Sequence, residues 1–191
     1  IHLVDCDGPT VDNQLLTLNT GTNGAFFIDD CGEFTLGAGN TIGGTGLENS
    51  WPVTIGAGSY PSAGGVIPTT GNTNNDIQVN GGSSTRTGIW RKFTDLDYII
   101  NTNTTIAAGG QLTIEPAVNL RFGASRRLQV NGTLNAVGAP GQEILFTRHT
   151  ARNWNYLYFT TAGTGTIDHC VIEHASYGIY TNSTGALSLS N

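Results

Sequence analysis

The chain has 191 residues, 27 of them glycine, only 12% charged residues and a formal net charge of −6. This length can bury a continuous core, and no apolar run approaches the roughly 20 residues that a membrane-spanning helix needs. No basic stripe with interleaved aromatic residues is present, so we expect neither a nucleic-acid partner nor membrane insertion. Abundant Gly, Asn and Thr favour turns and strands over helices, which predicts a mostly β protein.

The first 85 residues are expected to form a β-rich N-terminal region with irregularly spaced strands. These strands are predicted at Leu16 to Leu18, Phe26 to Ile28, Phe34 to Leu36 and Val53 to Ile55. A stretch rich in Gly, Pro and Asn, from Gly56 to Gly82, is typical of a boundary or a long loop. Residues 1–85 are therefore interpreted either as a small sandwich or as an irregular cap that covers the edge of the next region.

Two cysteines and several acids lie near the start of the chain. Cys6 and Cys31 are predicted to form a disulfide in an oxidising compartment, with three unpaired buried cysteines as the alternative. Asp5, Asp7 and Asp12 are weak candidates for a calcium site, because acids alternate there as in calcium loops. The third ligand position and the distal Glu of an EF-hand loop are missing, so an acidic turn competes with this reading. No other cofactor is expected.

Short apolar-x-apolar triplets recur through the C-terminal half of the chain. They align in two columns with steps of 22 to 24 residues: Leu112, Leu134, Leu157, Ile179 and Leu120, Ile144, Ile167, Leu189. A three-residue strand buries one or two side chains and does not persist alone, so such strands must stack in parallel, about 4.8 Å apart, in successive coils. Residues 86–191 are therefore predicted to form a parallel β-helix. An antiparallel sandwich is the structural alternative, but it has no reason to keep this step.

Four runs carry a family resemblance: Leu112 to Phe122, Leu128 to Gly138, Ile144 to Thr147 and Asp168 to Ala175. They resemble the right-handed parallel β-helix repeats of bacterial secreted and cell-surface proteins. The resemblance covers about residues 86–191, and Ala117 departs from it where such repeats usually have Gly after the Pro. It implies an all-β, right-handed parallel β-helix of about 22–24 residues per coil, secreted or on the cell surface. Members of this family include adhesins, stalks and polysaccharide-active enzymes, so it assigns no catalytic residue.

Outward-facing side chains of the coils are the candidates for ligand binding. The predicted set combines aromatic rings with an amide: Trp154, Tyr156, Tyr158, Tyr180 and Asn135. Aromatic faces stack on sugar rings, and amides hydrogen-bond to hydroxyl groups. The competing interpretation is that these aromatic residues support long loops or cover the solenoid wall.

A second candidate site lies between residues 168 and 174, which contain two carboxylates and two imidazoles. Asp168 and Glu173 are weak candidates for an acid and base pair, or for calcium ligands beside a proton-accepting Arg121. No second carboxylate row aligns with them on neighbouring coils, so a solvated strand face competes with catalysis. The sequence leaves enzymatic activity open and favours its absence.

The leading functional prediction is a non-catalytic extracellular scaffold, an adhesin-like or filament-forming surface protein. The last residues, up to Asn191, lack a capping segment, and residues 1–85 carry eight acids and no Lys or Arg. Residues 86–152 carry eight basic residues and four acids, which favours head-to-tail self-association. The alternatives are a carbohydrate-active β-helix lyase or hydrolase and a carbohydrate-binding module, each with a polysaccharide partner.

Overall fold

Short strands joined by turns and loops make up the described chain. The computed structural model describes residues 1–68 and 70–191, in which 23 strands and no helix occur. In chain order the strands are β1 (His2–Val4), β2 (Thr10–Val11), β3 (Leu15–Leu16), β4 (Phe26–Asp29), β5 (Gly32–Leu36), β6 (Thr41–Ile42), β7 (Val53–Ile55), β8 (Ser59–Pro61), β9 (Ile77–Val79), β10 (Gly82–Ser84), β11 (Thr87–Trp90), β12 (Tyr98–Ile100), β13 (Thr104–Ile106), β14 (Gln111–Ile114), β15 (Asn119–Phe122), β16 (Leu128–Val130), β17 (Thr133–Val137), β18 (Ile144–Arg148), β19 (Trp154–Phe159), β20 (Thr164–Asp168), β21 (Cys170–Ile172), β22 (Ala175–Thr181) and β23 (Leu187–Ser190). No helix able to cross a membrane is found among these described residues.

The strands stack in parallel as a β-solenoid of about eight coils, which confirms the predicted fold class. The long sheet has the order β1-β4-β7-β9-β12-β15-β18-β21. The second sheet has the order β10-β13-β16-β19-β22, and the third has the order β11-β14-β17-β20-β23. Two smaller sheets, β2-β5-β8 and β3-β6, belong to the first coils.

The long sheet continues through the boundary expected near residue 85. Strand β9 pairs in parallel with β7 on one side and with β12 on the other, where Ile77 lies opposite Tyr98. The strands of residues 1–85 are therefore coils of the same solenoid, and the structure differs from the expected small sandwich or separate cap. Of the expected boundary segment Gly56 to Gly82, residue 69 lies outside the described part of the chain. The corners of the first coils differ in length, so the number of residues per coil is not constant there. A search of the sequence for a constant step therefore does not detect this part of the repeat.

The first predicted column of leucines is divided between two sheets. Leu112 and Leu134 pair in register in the third sheet, as predicted, but the next partner of Leu134 is Gly165. Leu157 instead lies in the second sheet, where it pairs with Ile179. A segment between β18 and β19 lengthens this coil, so the step of 22 to 24 residues does not hold there. Leu112, Leu134 and Leu157 are all buried in the core.

The second predicted column also combines positions from different sheets. Ile167 and Leu189 pair in the third sheet, as the sequence predicts. Leu120 pairs with Phe146 in the long sheet, so Ile144 is offset by two positions. Inward side chains thus stack from coil to coil, but only strand pairing identifies which residues share a column.

Three asparagines, of which Asn49 and Asn72 are buried, connect the corners before strands β4, β7 and β9. The Nδ2 atom of Asn19 donates to Oδ1 of Asn49 at 2.8 Å, and Nδ2 of Asn49 donates to Oδ1 of Asn72 at 3.0 Å. Asn49 is fully buried and also donates to the carbonyl oxygen of Leu16 at 2.9 Å. Because a buried amide without partners is strongly destabilising, this ladder fixes the stacking of the first three coils.

Candidate functional site

Four tyrosine rings lie side by side on the outer face of the second sheet. Tyr156 and Tyr158 belong to β19, and Tyr177 and Tyr180 belong to β22. Neighbouring ring centroids are 5.3 to 6.0 Å apart. The Tyr177 side chain is 73% exposed and Tyr180 is 50% exposed. These four residues are named the tyrosine platform, and clustered exposed aromatic surface of this kind is typical of a binding site.

A β-bulge in β22 brings Tyr177 onto the platform. In a regular strand residues 177 and 180 would face opposite sides, because side chains alternate. Trp154 pairs with Ala175, whereas Tyr156 pairs with Gly178, so β22 contains one extra residue at this point. Gly178 has a φ of 70°, a conformation that side-chain-bearing residues rarely adopt. The bulge therefore turns the Tyr177 ring to the same face as Tyr180.

Polar side chains of the neighbouring coil border the platform. Gln129 pairs with Tyr158, which in turn pairs with Tyr180. The Nε2 atom of Gln129 donates to Oδ1 of Asn131 at 3.1 Å, and the Thr160 hydroxyl donates to the same oxygen at 2.9 Å. The register thus places Gln129 next to Tyr158, and Gln129 is linked through Asn131 to Thr160 at the end of these strands.

A cavity of about 320 Å³ opens between three members of the platform, Tyr156, Tyr177 and Tyr180. The cavity is thus lined by ring surfaces. Such a site can stack on the apolar face of a ring-shaped ligand and hydrogen-bond to its polar edge.

Three of the five predicted ligand-binding residues come together, and two lie elsewhere. Tyr156, Tyr158 and Tyr180 are on the platform, whereas Trp154 is fully buried and stacks on Phe122 with centroids 4.3 Å apart. Regular alternation would place residues 154, 156 and 158 on one face, but Trp154 lies where the register between β19 and β22 shifts, and its ring is directed inward. Its Nε1 atom donates to the carbonyl oxygen of Glu173 at 2.8 Å. The prediction that Trp154 faces outward beside Tyr158 is therefore wrong.

Asn135 lies on β17 in the third sheet, away from the second sheet that carries the tyrosines. It borders a separate groove, together with Thr133 and Thr164. Tyr177, in contrast, is on the platform but was not among the residues predicted. The Gly that follows Tyr177 in an otherwise strand-like run is the signal that could have indicated the bulge.

The candidate catalytic residues do not form one constellation. Asp168 ends β20 in the third sheet, where its carboxylate lies 3.0 Å from Nδ1 of His169. Hydrogen bonding from the Ser190 hydroxyl, and then from His169, lowers the pKa of Asp168. Glu173 instead follows β21 in the long sheet and accepts a hydrogen bond from the Thr147 hydroxyl at 2.8 Å. The two carboxylates thus belong to different faces of the solenoid.

Arg121 is separated from Glu173 by a full coil. Arg121 pairs with Thr147, and Thr147 bonds to Glu173, so the two lie about two coil spacings, or roughly 9.6 Å, apart along the sheet. The guanidinium of Arg121 is engaged by Asp97, with Nη1 and Oδ2 3.3 Å apart. This arrangement does not place a carboxylate pair and a base around one point.

The predicted calcium ligands also separate. Asp5 and Asp7 form ion pairs with Arg86 at 3.3 and 2.8 Å, so the guanidinium group of Arg86 neutralises these carboxylates. Asp12 accepts hydrogen bonds from the backbone N–H groups of Asn13 and Gly39 at 2.9 and 2.8 Å. Within residues 1–68 and 70–191, no group of three or more His, Cys, Asp or Glu side chains is arranged to hold a metal ion.

Cys6 and Cys31, predicted to pair, lie on successive coils and both carry free thiols. The backbone N–H of Cys6 donates to Sγ of Cys31 at 3.4 Å. The pair is therefore close together even in the reduced state.

Comparison with known proteins adds one partial relative. No protein-family model matches the chain, and no solved structure matches it. A stretch of 81 residues, 42% of the chain, is 30% identical to Protein bark beetle of Drosophila melanogaster. The match covers 3% of the length of that protein, so part of the chain is similar to a small segment of it.

Proposed function

We propose that the protein is a non-catalytic extracellular scaffold that binds a polysaccharide on its tyrosine platform. The observation that carries this proposal is the cluster of Tyr156, Tyr158, Tyr177 and Tyr180, whose neighbouring rings lie 5.3 to 6.0 Å apart on an exposed sheet face. A rigid wall of stacked coils holds these rings in fixed positions, which reduces the entropy lost on binding.

The chemistry of the platform matches a carbohydrate better than an apolar partner. Sugar rings have one face of C–H groups, which stacks on aromatic rings, and an edge of hydroxyl groups. Gln129, Asn131 and Thr160 supply amide and hydroxyl groups along the border of the platform. The cavity of about 320 Å³ is of a size to admit a monosaccharide unit of a longer chain.

A non-catalytic role is supported by the separation of the acidic residues. Asp168 and Glu173 lie on different sheets, and Arg121 is paired with Asp97. Glycoside hydrolysis needs two carboxyl groups on either side of one bond, about 5 to 9.5 Å apart. A location outside the cell is supported by the likeness of the repeats to those of bacterial secreted and cell-surface proteins.

Binding to a panel of immobilised polysaccharides tests the proposal. We expect the wild type to bind at least one of them, and Tyr156→Ala and Tyr180→Ala each to weaken this binding about tenfold, equivalent to about 1.4 kcal/mol. Leu15→Ala is the control, because Leu15 is 74% exposed but lies in the first coil. Equal weakening by all three variants, or release of reducing or unsaturated ends from the polysaccharide, contradicts the proposal.

Head-to-tail self-association stays a prediction from the sequence. The prediction came from the uneven distribution of acidic and basic residues, but several of these residues form ion pairs within one molecule. Arg91 bonds to Glu33 and Glu115, each at 3.1 Å. Arg86 likewise bonds to acids of the first two coils. Sedimentation velocity at increasing protein concentration tests it, since a constant sedimentation coefficient would exclude association over that range.

A further inference from the structure

Cys6 and Cys31 occupy equivalent corners of the first two coils. Strands β1 and β4 pair in register, and each is followed by an Asp with a φ of 50° and then by the cysteine. The two residues are Asp5 and Asp30, so the same turn is made twice. Stacked equivalent positions are about 4.8 Å apart, which lies within the range of Cα separations that a disulfide spans.

The two thiols are in contact but differ in access. Cys31 is fully buried, whereas Cys6 is half-buried. Burial, and then hydrogen bonding with the Cys6 side chain, raises the pKa of the Cys31 thiol to about 11. A small reagent therefore reaches Cys6 first, and the Cys31 sulfur lies 3.4 Å from the backbone nitrogen of Cys6.

The third cysteine lies at the other end of the solenoid. The Cys170 thiol donates to the carbonyl oxygens of Ala136 and Asp168 at 3.4 and 3.3 Å. Cys170 belongs to β21, the last strand of the long sheet, whereas Cys6 follows β1, the first. Neither Cys6 nor Cys31 can therefore reach it within one molecule.

We propose that Cys6 and Cys31 form a disulfide that fastens the first coil to the second when the protein meets a small organic disulfide, while Cys170 stays reduced. The Cys6 thiolate attacks the reagent RS–SR, which forms a mixed disulfide and releases one RS⁻. The Cys31 thiol then loses its proton to solvent and its sulfur attacks Sγ of Cys6, which forms the Cys6–Cys31 bond and releases the second RS⁻. Two protein thiols are oxidised and one reagent disulfide is reduced to two thiols.

The strands of the first coil, which carries Cys6, are less buried than those of the second coil, which carries Cys31. The strands β1, β2 and β3 contain no buried residue, whereas β4 and β5 contain two each. In a solenoid each coil contacts its neighbours alone, so a coil with a small core opens readily. A covalent link at the corner opposes that opening, since it restricts the open state.

Counting thiols after treatment with oxidised glutathione tests the proposal. We expect the wild type to lose two of its three thiols, and peptide mapping to identify a Cys6–Cys31 link. Amide hydrogens of β1 should then exchange at least about tenfold more slowly than in the reduced protein. Cys170→Ser should lose both of its thiols in the same way.

Single variants test whether Cys6 reacts with the reagent first and Cys31 second, as opposed to each cysteine being oxidised independently. In Cys31→Ser the mixed disulfide on Cys6 should accumulate, because no second thiol displaces it. In Cys6→Ser the buried Cys31 should remain unmodified. Three free thiols in treated wild type, a link that includes Cys170, or glutathione on Cys31 in Cys6→Ser would each overturn the proposal, and circular dichroism of each variant verifies that it is folded.

Discussion

The Nη1 atom of Arg86 lies 2.8 Å from Oδ1 of Asp7, which joins the fourth coil of the solenoid to the first. The same guanidinium lies 3.3 Å from a carboxylate oxygen of Asp5 and 3.3 Å from one of Asp30. Three carboxylates on stacked corners would repel one another without this cation. Arg86 therefore connects coils that have no backbone pairing with one another.

Replacement of Arg86 by Gln is expected to reduce stability modestly. The ion pairs are largely solvated, so the free energy of unfolding should fall by about 1 kcal/mol at low ionic strength. In about 1 M salt, where the Debye length is about 3 Å, the difference from wild type should nearly vanish. Urea denaturation at the two ionic strengths measures this. Arg152→Gln, at an exposed loop position, is the control, and an Arg86→Gln effect that persists unchanged in high salt would contradict the assignment.

Gly178→Ala is expected to weaken polysaccharide binding without removing a tyrosine. The φ of 70° is unfavourable for Ala by about 1 kcal/mol or more, so the bulge should relax and Tyr177 should leave the platform. Gly109→Ala is the matched control, because Gly109 has a φ of 87° and lies in the fifth coil. Both variants should lose similar stability, but Gly178→Ala alone should lose binding. Equal affinities in the two variants would show that the bulge is not needed.

Asn49→Ala should destabilise the protein by about 2 kcal/mol, because it removes the hydrogen bonds of the buried Asn49 amide and leaves the backbone N–H of Asn19 without its acceptor. The affected groups are the Asn19 side chain, the Asn72 carbonyl oxygen Oδ1 and the Leu16 backbone oxygen. Chemical denaturation measures this change. Asn182→Ala, at an exposed position, should change stability by less than about 0.5 kcal/mol, and an equally small effect at Asn49 would contradict the role given to the ladder.

Stability should decrease as the pH falls below 6.5 because of His149. Burial, and then repulsion by Arg121, lowers the pKa of His149 from its ordinary value of 6.5. The unfolded chain therefore binds a proton more readily than the folded chain, so stability is complete above pH 6.5 and is lost as the pH falls toward the folded pKa. Denaturation curves over this range should show a slope that His149→Asn reduces. An unchanged slope in the variant would assign the effect to other groups.

The architecture could be predicted from the sequence because the apolar triplets record which residues face inward. Leu112 and Leu134 were correctly paired since 22 positions separate them and no corner between them is enlarged. Leu157 was misplaced because an added segment before β19 changes the step, and apolar alternation does not record corner length. Strict alternation predicts that Trp154 lies on the surface, whereas its ring is in the core, at the point where the register of β19 and β22 shifts. The tyrosine platform was predicted in part, since the rings of one strand are visible in the sequence and the bulge that adds Tyr177 is not.

The residues near the start of the chain could not be interpreted from spacing alone. Asp5 and Asp7 alternate as calcium ligands do, but their partner, Arg86, is about 80 positions away. Contacts of this kind depend on the stacking of the coils. They become visible only when the strand register is known.

A structure of the protein with a bound oligosaccharide would show whether the tyrosine platform holds a sugar. The oligosaccharide is a fragment of whichever polysaccharide the wild type binds. We expect a sugar ring stacked in the cavity between Tyr156, Tyr177 and Tyr180, with hydroxyl groups directed toward Gln129. A sugar bound instead along the third sheet beside Asn135, with the four tyrosines free, would contradict it.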